Sequence, residues 1–118
     1  MKRLILEIGS GIDLYGQDYT KAALRALADA LHHSSIVMFD TLKLSETDMR
    51  VSVTIGVQDP GKVDVDKIAE AVPRGHAEVK VVFGGQNIDV REVGQQSVVA
   101  TCAVEAFVFD LSKHFEVG

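Results

Sequence analysis

Two kinds of residue in this 118-residue chain could carry chemistry: acids set in apolar surroundings, and glycines at short spacing. Gly9-x-Gly11-x-Asp13 opens a stretch with three glycines in eight residues, ending at Gly16. A glycine-rich segment between a strand and a helix is where phosphates or carboxylates rest on backbone N–H groups. The pattern lacks the third glycine of a dinucleotide fingerprint, since Leu14 stands there, and no Gly-Lys-Ser/Thr follows as in a P-loop. Asp13 and Asp18 would repel an anion unless Lys21 or a cation intervened, so Asp13 is the candidate acid–base group and Lys21 its electrostatic partner. Glu7, Tyr15, Gln17 and Asp18 complete a pocket for a small polar molecule, with Gly9, Gly11 and Gly16 letting ligand and backbone approach closely. Proton transfer or hydrolysis on a polar heterocycle or amide suits such a set. Asp13 has a structural use as well, because aspartates in turns bond neighbouring N–H groups.

Glu7 and Glu105 each interrupt an apolar strand. A carboxylate there needs a partner or its pKa rises, which makes both residues site candidates or members of ion pairs at a subunit contact. Cys102 lies in the apolar run Val98 to Val108 and reads as a buried thiol. No Cys/His spacing marks a zinc site, and no metal ligand set or cofactor is specified. His32 and His33 close a helix, where a cation suits the dipole. His76 and His114 belong to no motif.

The elements that position these residues follow from hydrophobic period. Residues 3–8 read as a buried strand with Leu4, Leu6 and Ile8 inward, and Gly9 to Gly16 as a loop with unusual backbone angles. Asp18 caps a helix running to about His33, with Ala23, Leu24, Leu27, Ala30 and Leu31 as its apolar stripe. Ile36 to Phe39 suits a strand, a lid or a patch covered by another subunit. Residues 49–57 alternate strictly as a strand, and Val63 to Val72 form a short helix capped by Asp64. Ala77 to Phe83 make a third strand, Gly84 to Gln96 a polar connection, and Ser97 to Phe109 a last strand.

The order strand-helix-strand-helix-strand-strand specifies a single α+β domain over residues 1–118, with two helices on one face of a mixed four-stranded sheet. Its first crossover should create a right-handed parallel pair. The other face would carry Arg3, Ile5, Glu7, Ser52, Thr54, Glu78, Lys80 and the odd residues 99–109. It is too apolar to be simply wet, and is expected to pack against other copies in a closed symmetric oligomer.

Composition narrows the partners. The chain has 12 basic and 17 acidic residues and a formal charge of −5, against a nucleic-acid partner. At 47% hydrophobic residues it can bury a core, yet no run approaches the roughly 20 apolar residues of a membrane span. Glu7 interrupts the N-terminal apolar run too early for a signal peptide, so a cytoplasmic protein is expected.

The stretch from Glu7 to Ala26, with Gly9-Ser10-Gly11-Ile12-Asp13-Leu14-Tyr15-Gly16 followed by Thr20-Lys21-Ala22-Ala23 and Arg25-Ala26, resembles the Lin family of short conserved hypothetical proteins. Val51 to Val72 and Ala103-Val104-Glu105 extend the resemblance over most of the chain. The family motif is G-x-G-x-D-x-H-G, and Tyr15 stands at its histidine. A tyrosine is neither a neutral-pH base nor an easy metal ligand. The family has no assigned function; the resemblance implies that Gly9, Gly11, Asp13, Gly16, Gln17, Asp18, Lys21 and Arg25 form a shared site. Three functions remain open: a homo-oligomer binding or acting on a small polar molecule at a subunit boundary, a non-catalytic assembly module whose motif builds the interface, and a metal-binding protein.

Overall fold

The structure, a computed structural model, describes residues 2–14, 17–32, 49–72, 76–90 and 95–108. Strand β1 (Lys2–Asp13) is followed by helix α1 (Tyr19–His32) and strand β2 (Met49–Val57). A 3₁₀ turn at Pro60–Lys62 leads to helix α2 (Val65–Glu70), then to strands β3 (His76–Phe83), β4 (Gln86–Val90) and β5 (Gln95–Val108). The apolar segment Ile36 to Phe39 lies outside the described residues.

The fold is α+β; among the described residues it has an open sheet of five strands and two helices, one strand more than expected. The extra strand is β4, inside the stretch read as a polar connection. Its polar residues hide a five-residue ladder, Gln86↔Val99 to Val90↔Gln95. The sheet order is β1-β5-β2-β3. The last strand therefore takes the centre, with antiparallel β1 on one edge and β2 followed by β4 on the other. This corrects the expected crossover: α1 joins two strands separated by β5, and the adjacent parallel pair is β2 with β3, across α2.

Alternation places the core. Val51, Val53, Ile55 and Val57 of β2 are fully buried, as are Val98, Ala100, Cys102, Val104 and Ala106 of β5. They form one cluster with Ala22, Ala23, Ala26, Leu27 and Ala30 of α1 and Ile68 of α2. The deepest part of α1 is thus an alanine stripe, with Leu24 and Leu31 on its flanks. Asp18 caps α1 as expected, its Oδ1 accepting the Lys21 N–H at 3.0 Å. Asp64 caps α2 by accepting from Asp66 and Lys67. The Thr20 hydroxyl accepts the Asp64 N–H at 2.8 Å and donates to the Lys62 carbonyl, fastening the start of α2 to that of α1.

Strand β1 is turned over relative to expectation. Leu6, Ile8 and Ile12 are 46%, 66% and 44% exposed, while Gly9, Gly11 and Asp13 are buried. The cause is the closeness of α1. A Cβ on Gly9 would stand 2.6 Å from the Ala26 carbonyl oxygen, and one on Gly11 would stand 2.7 Å from the Arg25 carbonyl carbon. Only glycine allows the helix backbone to rest on the strand backbone. A register slip of one residue exchanges the faces of a strand, and the slip between Arg3 and Ile5 lies just upstream.

Gly11→Ala is therefore expected to destabilise the fold by roughly 1–3 kcal/mol or more, the usual cost of an extra methyl in a packed site. Urea unfolding measures it, and an unchanged midpoint would contradict the contact.

Candidate functional site

The residues singled out by type fall at the junction of β1 and α1. Residues 9–13 are strand, which corrects the expected glycine-rich loop. Gly9 and Gly11 keep ordinary backbone angles; among the described non-glycine residues only Gln17, at φ 49°, enters the left-handed region. Tyr15 and Gly16 lie outside the described residues.

Asp13 is engaged on both oxygens. Its side chain is 7% exposed, and its Oδ1 lies 3.5 Å from the Arg25 guanidinium. Oδ2 accepts the Asp18 N–H at 2.8 Å, which fixes the turn that α1 starts from. Arg25 also donates to the Ile12 carbonyl, and one turn later Asp29 accepts the Ser10 N–H at 2.9 Å. Because β1 is an edge strand, these two side chains satisfy outward backbone groups that would otherwise offer a template for pairing. Ser97, buried on β5, donates to the Leu14 carbonyl at 3.1 Å and holds the end of β1.

Of the remaining candidates, Gln17, Asp18 and Lys21 are exposed at the rim of this junction. The Asp18 carboxylate serves as helix cap. Glu7 and Glu105 do not come together, which corrects their placement on one face. Glu7 is opposite Val104, on the side of Gly9 and Gly11, whereas Glu105 is opposite Leu6 on the other side. Both are half-buried. Among the described residues no three His, Cys, Asp or Glu side chains gather in a way that could hold a metal ion. Cys102 is buried in the core, and desolvation pushes its thiol from 9.0 up to about 12.

A second feature escaped the sequence reading. On the face of Leu6 and Ile8 lies an open trough of about 290 Å³, floored by Gly56, Thr54, Thr101 and Ala103 between walls at Ile8 and Phe83. Gly56 makes it: a Cβ there would stand 2.6 Å from the Thr101 hydroxyl. A lone glycine in an alternating strand is the signal that marks such a close approach. Next to it the chain crosses from β3 to β4. The Gly84 N–H donates to the Val57 carbonyl at 2.9 Å, and the Gln58 amide donates to the Gly84 and Gly85 carbonyls. Gly85 has φ 62°, and a Cβ there would lie 2.8 Å from the Gly56 carbonyl oxygen. Beyond the crossing, Asn87 donates to the Tyr19 hydroxyl at 2.8 Å, and the Lys62 ammonium lies 5.7 Å from the Tyr19 ring.

Residues 3–106 match a family model described as "Conserved hypothetical protein (Lin0512_fam)". The chain is also similar to a crystal structure of an FtsZ-like protein of unknown function from Nostoc punctiforme. The two are 29% identical with a TM-score of 0.78, over 92% of this chain and 97% of that chain. No curated protein matches. No described helix is long and apolar enough to cross a membrane.

Two outcomes are expected. Asp13→Ala leaves the Asp18 N–H without its acceptor and should cost roughly 1–3 kcal/mol in thermal or urea unfolding, while Asp13→Asn, which keeps an acceptor oxygen, should cost less. The Cys102 thiol should resist aromatic disulfide reagents in the folded chain and react on unfolding. Its folded pKa of about 12 stands above the unfolded 9.0. Its contribution to stability is therefore complete below pH 9 and lost as the pH rises toward 12. Cys102→Ala should flatten that alkaline loss, and an unchanged pH profile would contradict it.

Proposed function

We propose, for a chain that belongs to the Lin0512 family of conserved hypothetical proteins, a function exercised as a homo-oligomer, in which the family motif builds the protomer and the open sheet face joins protomers. Both helices stand on one face of the sheet in this reading, and the opposite face meets other copies.

The supporting observation is the exposure of that opposite face. Leu6, Ile8 and Ile12 of β1, Val82 of β3 and Ile88 of β4 are each more than a third exposed. They cross the sheet, with half-buried Val99, Ala103 and Phe107 of β5 among them. Exposed apolar side chains gathered on one face in this way mark an interaction site. Equal chains satisfy it most simply by closed symmetry.

Ligand binding is the second reading, and the junction restricts it. Gly9 and Gly11 are covered by α1, and Asp13 and Arg25 bind each other and the backbone. A small polar molecule would therefore meet only the exposed rim of Gln17, Asp18 and Lys21. The geometry favours assembly, with the acids and glycines as its scaffold. The Nostoc structure, described as FtsZ-like and of unknown function, supplies no activity to transfer.

The full chain should sediment at a multiple of 12.8 kDa at high micromolar concentration. Ile8→Glu, which places a charge on a 66% exposed apolar position, should shift it to 12.8 kDa without unfolding it. A wild-type chain that sediments at 12.8 kDa overturns the proposal.

A further inference from the structure

The two sides of the sheet are finished differently. On β1, Arg25 and Asp29 of α1 take up outward backbone groups at Ile12 and Ser10. Strand β3 ends the strand order on the other side, and no further strand among the described residues lies beyond its eight residues. Its outward N–H and C=O groups form a row with which another strand can pair.

Register with β2 fixes the faces of β3. Ala77, Val79 and Val81 stand opposite buried Val51, Val53 and Ile55, on the helix side. Glu78 and Lys80 alternate with them on the open side, and both are exposed. Charged side chains on an edge turn away most strands. This pair is self-complementary, because the acid and the base flank Val79 symmetrically. Two copies of β3 laid antiparallel about Val79 set each Glu78 against the partner's Lys80, and each Ala77 against the partner's Val81. Centring the pair on residue 78 or 80 sets two glutamates or two lysines face to face, and a parallel strand sets each charge against its like. Arg50 lies 3.7 Å from Glu78 within the chain. The Glu78 side chain is 70% exposed, and a carboxylate accepts from more than one donor.

We propose that β3 pairs antiparallel with β3 of another copy across a two-fold axis at Val79, continuing the sheet from one protomer into the next. The inference rests on the assembly reading above and adds a second contact to it. One short strand pair is too small to hold two free chains together. It acts between assemblies in which the open faces have already joined several copies, where many such pairs work at once. Ile8→Glu therefore releases both contacts. A two-fold contact of this kind doubles a closed ring of copies into a dihedral particle.

Reversing either charge tests the register. Lys80→Glu sets an acid against the partner's Glu78, and Glu78→Lys sets a base against the partner's Lys80. Each should weaken the pairing by roughly tenfold or more, because both cross-strand pairs turn from attraction to repulsion. Sedimentation should then show a particle of half the wild-type mass. Both positions are exposed, so circular dichroism and the thermal midpoint should be retained. The double variant Glu78→Lys/Lys80→Glu keeps opposite charges face to face and should recover the full mass. An equal mixture of the two single variants should recover it as well, since one strand is then basic and the other acidic. A monomeric wild-type chain overturns the assembly reading and this contact with it. A wild-type oligomer whose mass survives both single reversals, or reversals repaired by neither the double variant nor the mixture, overturns the edge contact alone.

Discussion

Contact between the backbone of α1 and the backbone of β1 governs the rest of this structure. It exists because Gly9 and Gly11 meet an alanine stripe of Ala22, Ala26 and Ala30, with no side chain large enough to hold the elements apart. At that separation Arg25 and Asp29 reach the outer edge of β1 and satisfy its backbone at Ile12 and Ser10. Asp13, buried beside them, holds the Asp18 N–H and so sets where the helix begins. Among the described residues of the motif, Gly9, Gly11, Asp13 and Arg25 are engaged by the chain's own helix and backbone.

The same contact determines what the other side of the sheet must be. With glycines and Asp13 facing the helix, the apolar residues of β1 have no inward position left. Leu6, Ile8 and Ile12 join Val82 and Ile88 on the opposite face. The interior behind them is filled by small and medium side chains from β2, β5 and α1. Apolar surface that a larger helix layer would cover is presented outward, and Gly56 adds a depression to it.

Much of this was legible in the residues. Strict alternation over 49–57 located β2 to the residue, and Asp18 and Asp64 marked both helix starts through their capping chemistry. The buried thiol at Cys102 followed from its apolar run. Polarity concealed β4, whose Gln86, Asn87 and Asp89 read as a connection although they pair along β5. The facing of β1 could not be read either. In the run Leu4 to Ile8 only Glu7 is polar, so period cannot say which face is inward, and the answer depends on how closely a distant helix approaches. The placement of Glu7 and Glu105 together failed for that reason. Adjacent in the sheet, they lie on opposite sides once β1 turns over.

The most direct measurement is hydroxyl-radical footprinting of the full chain at concentrations spanning its association. If the open face is where copies meet, Leu6, Ile8 and Ile12 should label slowly when concentrated and at the rate of exposed side chains on dilution. Val65, 42% exposed on α2, should label equally at both. Labelling of Leu6, Ile8 and Ile12 in proportion to their protomer exposure at every concentration would contradict a face covered by another copy.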